Sequence, residues 1–124
     1  MRLGALFGIL SITCFAGSWE GVLVSSECYD TMERNVNPGD IGFDASRDRN
    51  LEIRYCRANE HTRSFTLVQP DGQSFKFDAP GNAKAAQIVR NGNQKLIFVV
   101  HVTGEAHDQL IDVGAISMLR NVSP

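Results

Sequence analysis

The chain has no apolar run of the ~20 residues that a bilayer-spanning helix needs; its longest candidate, residues 3–16, falls short. It has no surplus of positive charge either. Twelve Lys and Arg stand against 14 Asp and Glu, a net charge of −2, and a nucleic-acid binder normally carries a basic footprint. GxSxG, HExxH, P-loop and GxGxxG patterns are all missing, so no nucleophile elbow, zinc-protease helix or cofactor cradle is recognisable, and neither cofactor nor metal is expected. Acids are scattered singly, without the paired carboxylates of glycoside hydrolysis. His61, His101 and His107 have no helical spacing to one another.

What is present begins at the N-terminus. Arg2 is the only charge before Glu20, an apolar stretch follows it, and Ala16 and Ser18 are small residues at −3 and −1 if cleavage falls before Trp19. That is the layout of a secretory signal peptide over residues 1–18. The expected mature part, residues 19–124, is one domain of 106 residues with no membrane span and a net charge of −3, because only Arg2 is lost. It would be exported, periplasmic or extracellular. Acylation at Cys14, giving an anchored lipoprotein, is the alternative, but Ser11-Ile12-Thr13 before it lacks the usual Leu at −3 and small residue at −1.

With Cys14 removed, Cys28 and Cys56 remain. An even number in an oxidising compartment reads as one disulfide, and closing that loop restricts the unfolded chain by about 3–4 kcal/mol on the chain-entropy account. A metal site of Cys28, Cys56 and His61 lacks a fourth ligand and any CxxC or HxxxH spacing, so the disulfide is the better reading.

Residues 19–25 read as a strand, and 26–62 as a long polar, irregular excursion containing the turn signal Asn37-Pro38-Gly39-Asp40. Within the excursion, Leu51, Ile53 and Tyr55 alternate with Glu52 and Arg54, suggesting a short strand delivering Cys56. Residues 64–69 and 73–79 alternate around Pro70-Asp71-Gly72, a β-hairpin with Phe65, Leu67, Phe75, Phe77 and Ala79 inward. Asn82 is a reasonable N-cap for a short helix over about 82–91, with Ala85, Ile88 and Val89 on one face and Asn91-Gly92 as its stop. Residues 95–103 are apolar on both faces, as in a central strand. Residues 109–119 form the last strand, whose phase shift across Gly114-Ala115 suggests a β-bulge. The order is that of an OB-fold-like barrel, mainly β, with five to six strands and one helix between the third and fourth main strands.

The opening Trp19-Glu20-Gly21-Val22-Leu23-Val24 with Cys28, then Phe65-Thr66-Leu67-Val68, Asp71-Gly72, Phe77-Asp78 and Gly81-Asn82 before an alanine-rich helix, resembles a family of small exported bacterial domains of unknown function. That family's first strand often continues with Asp where this chain has Ser25-Ser26. The resemblance implies export and a barrel-like fold; it brings no activity.

Two constellations in the excursion and at its end bear on function. Asp44, Ser46, Asp48, Asn50 and Glu52 have the every-second-residue rhythm of a calcium loop, but Arg49 and Tyr55 stand where Gly and Glu are required. Arg47, Arg49, Arg54, Arg57 and Arg63 gather within seventeen positions, interleaved with Asp48, Glu52 and Glu60. Guanidinium forks suit anions, so Arg47, Arg49, Arg54 and Arg57 are the candidate anion-binding residues, against a reading as self-paired surface charge. The expected function is a non-enzymatic binding or structural domain of the bacterial envelope, whose partner is an acidic glycan or an envelope protein. The rival is a small secreted hydrolase with its site in 26–62.

Overall fold

Pairing along the first strand decides the architecture. In the computed structural model, which describes residues 15–34 and 43–124, β1 (Phe15–Ser25) joins two neighbours in succession. Phe15 to Val22 run antiparallel to β4 (Ile97–His107), and Val22 to Ser25 run antiparallel to β2 (Phe65–Val68). From there β2 pairs with β3 (Ser74–Phe77), β3 lies parallel to β5 (Leu110–Val122) through Lys76 and Phe77, and β5 returns to β4. Five strands therefore close in a ring ordered β1-β2-β3-β5-β4. This is the expected OB-fold-like order, and closure leaves few strand edges open to other chains.

Strand alternation fills the ring. Leu23, Phe65, Leu67, Phe98, Val100, Val102 and Ile111 are fully buried inside it. Ile97 and Val99 on the other face of β4 are also buried, as its two-sided apolar pattern requires. The β2–β3 hairpin turns at Gly72, whose φ of 95° is open to glycine and strained for other residues. Register slips between Thr103 and Gly104, opposite Ala115 and Val113, leaving Gly114 as the extra residue of the expected bulge. A second slip between Val99 and Val100 was not expected.

The helix between β3 and β4 starts earlier than the sequence suggested. It is α3 (Ala79–Asn91), with Asp78 rather than Asn82 as N-cap, and Ala79, expected inside the hairpin, is its exposed first residue. Pro80 fits the first turn because its missing N–H would be unbonded there anyway. Asp78 Oδ1 accepts from Gly81 N at 3.0 Å and Val113 N at 3.2 Å, tying helix to β5. Gly81 lies so close to the Val113 side chain that an added Cβ would collide with it. Asn82 instead accepts from Phe65 N at 2.9 Å, fixing the start of β2.

Helices, rather than irregular chain, occupy much of the excursion. These are α1 (Ser26–Arg34) and α2 (Phe43–Tyr55). Ser25 opens α1 by accepting from Cys28 N at 3.4 Å. The expected strand at residues 51–55 is thus corrected to helix. Leu51 and Tyr55 are exposed, whereas Arg49, Glu52, Ile53 and Cys56 turn inward at spacings of three and four. Over this short span a stripe of period 3.6 coincides with an alternation of period 2. Cys28 and Cys56 are bonded, with Cα atoms 5.5 Å apart, stapling α1 to the end of α2.

Residues 1–14 of the expected signal segment, Cys14 included, and the turn at 37–40 lie outside the described residues. Ser18 and Trp19, on either side of the expected cleavage point, are both in β1 and pair with Thr103 and Val102. Ala16, Gly17 and Ser18 are exposed, so a cut there removes strand pairing and little buried surface. No described helix is long and apolar enough to cross a membrane.

Candidate functional site

OB-fold barrels commonly bind on the sheet face around the second and third strands, framed by neighbouring loops. Much of the outer β1–β2 wall is occupied here. Val24 and Val68 point outward and are buried with Tyr29 and Cys56, and Val22, Cys28, Met32 and Ile53 pack around them. Ser26 Oγ and Thr66 Oγ1 share a buried hydrogen bond of 2.7 Å at the same wall. Desolvation is the main cause that raises the Tyr29 phenol from 10.0 to about 12, with Glu33 and the buried Glu52 adding to it. A stapled helical cover therefore occupies the outer face of β1 and β2.

The candidate arginines are dispersed. Arg47 has a helical backbone but a side chain outside the described residues. Arg49 is half-buried over the β2–β3 turn, its guanidinium against Gly72, and lines a cavity of about 260 Å³ with Arg120 of β5. Arg54 is exposed on another face of α2. Arg57 follows the helix, donates to the Arg54 carbonyl at 2.9 Å, and borders a separate shallow cavity. Residues near in sequence are thus split by the helical turn: five positions apart puts Arg49 and Arg54 on different faces. The calcium rhythm meets the same fate, because alternate residues of a helix point apart. Asn50 is exposed and Glu52 buried. The disulfide occupies both thiols of the alternative metal site, and among the described residues no cluster of three His, Cys, Asp or Glu could hold a metal.

The larger concavities lie beside the loop after the disulfide. One, of about 580 Å³, opens between the start of α1, residues 61–64 and β3; another, of about 650 Å³, opens between the same loop and α3. They share His61, Thr62, Arg63 and Asn82, and so form one polar groove. No family model, curated protein or solved structure matches this chain.

Its loop is held from several sides. Thr62 N donates to the Asn59 carbonyl at 3.0 Å, Glu60 N to Gln94 Oε1 at 3.0 Å, and Ser26 N to the Ser64 carbonyl at 3.0 Å. Arg63 from the loop and Arg90 from the last turn of α3 both line the groove, and neither forms an ion pair among the described residues. His61 lies 3.6 Å from Glu60, and Lys76 is paired to Asp30 at 2.6 Å. Arg63 belongs to the arginine group legible in the sequence, whereas Arg90 is 27 positions away and reaches the groove only through the packing of α3.

Proposed function

We propose that this chain is an exported, non-enzymatic binding domain of the bacterial envelope, and that the groove between the 60–64 loop and α3 takes an acidic glycan. The observation that carries this reading is the pair Arg63 and Arg90, two guanidinium groups without acidic partners among the described residues, on two walls of one polar groove. Arginine forks match a sugar carboxylate or sulfate bidentately. Thr62, Ser64, Asp30 and Glu27 supply partners for sugar hydroxyls. The charge and small-residue layout of residues 1–18 and the Cys28–Cys56 bond support export.

Calorimetric titration with a polyuronate, against neutral dextran, tests the binding. Arg63→Ala with Arg90→Ala should weaken polyuronate binding about tenfold or more, and added salt should weaken it further, because exposed charges are screened within ~10 Å at 0.1 M. Binding that ignores both changes would refute the groove. Intact-mass analysis of protein recovered outside the cytoplasm should give an N-terminus near Trp19; a retained Met1 or a lipid on Cys14 would overturn plain export.

A further inference from the structure

We infer that the smaller cavity between α2 and the ring is a second binding site, selective for a small carboxylate with a short apolar body. It is separate from the polar groove and does not depend on the glycan reading. Its volume is about 260 Å³, enough for a compact ligand and too little for a long acyl chain. Val22 of β1, Val68 of β2 and Val99 of β4 supply its apolar wall from the sheet, and Ile53 adds another from α2. Arg49 and Arg120 line it from α2 and from β5.

That combination is specific in its chemistry. An apolar wall favours a hydrocarbon body through removal of its surface from water. Two arginines on the lining favour a carboxylate, since charge-assisted hydrogen bonds strengthen where a ligand displaces water. Neither Arg49 nor Arg120 has an ion-pair partner among the described residues. Glu20, the one acid on the lining among the described residues, lies 3.3 Å from His101 Nδ1 on the neighbouring strand. Arg49 is positioned by packing, its guanidinium lying over Gly72, where a side chain would collide with it. An alcohol of the same length would gain the wall contacts alone, and an alkylammonium would meet like charge.

Methyl-detected NMR titration of the full, oxidised chain tests this, with hexanoate, hexanol and hexylammonium as probes. Hexanoate should shift methyl signals of Val22, Ile53, Val68 and Val99, hexanol should bind more weakly, and hexylammonium should not bind. Arg120→Gln changes an exposed side chain and keeps the fold testable if Arg49→Gln does not. Each should weaken hexanoate about tenfold, the loss expected for one charge-assisted contact. Arg63→Ala with Arg90→Ala should leave hexanoate unchanged, which separates this site from the groove. Absent methyl shifts, equal binding of hexanoate and hexanol, or hexanoate affinity unchanged in Arg120→Gln would each overturn the site.

Discussion

Among the described residues, one cluster of 13 buried residues, drawn from the strands, α3 and Ala58 of the loop after α2, fills the ring and its α3 side; outside it, the buried cluster under the α1–α2 cover holds four, Val24, Tyr29, Cys56 and Val68. Both clusters use the same wall, since Leu23 and Leu67 point in where Val24 and Val68 point out. The inner cluster contains Phe65, Phe77 and Phe98, each of which buries a large apolar area. A covalent bond closes the outer one, joining α1 to the residue after α2. The ring is held by packing along the chain, the cover by a staple, and the two should fail separately.

The largest effect should come from the ring. Phe77→Ala should cost about 3–5 kcal/mol in chemical denaturation and unfold the whole domain, since Phe77 is buried among Phe65, Leu67 and Ile111. A loss below ~1 kcal/mol would place that side chain outside the core. Replacing Cys28 and Cys56 by Ser should cost about 2–4 kcal/mol, concentrated in the cover, and denaturation should then split into two transitions. Two reactive thiols in the untreated protein would remove the staple from the account.

Smaller effects sharpen the contrast. Asp78→Ala removes the acceptor for Gly81 N and Val113 N, and should cost about 1–2 kcal/mol while leaving the cover in place. The cover has a pH signature of its own. Tyr29 holds its proton to about 12 when folded, against 10.0 for an ordinary phenol, so between these values the unfolded chain binds fewer protons. Stability should fall as pH rises through that window and be unaffected by this group below it. Tyr29→Phe should abolish the alkaline fall and the late ionisation seen by ultraviolet absorbance.

The difference between the regions also explains what could be read in the sequence. Ring strands alternate in and out with turn residues between them, so the hairpin around Gly72, the two-sided β4 and the bulge at Gly114 were legible from local pattern. The cover was not. Arg49, Glu52, Ile53 and Cys56 follow a helical stripe, yet Leu51, Ile53 and Tyr55 mimic a strand over the same residues. Asn82 has a cap-forming side chain, but Asp78, within the alternating 73–79 segment, is the actual cap. The polar groove was half legible, in Arg63, because Arg90 joins it through tertiary packing.

Hydrogen exchange on the oxidised protein and on protein reduced by a dithiol tests the division most directly. Reduction should strip protection from residues 26–34 and 43–55 while amides of Leu23, Leu67, Val100 and Val102 keep theirs. Equal loss across cover and ring, or a cover still protected after both sulfurs are reduced, would contradict it.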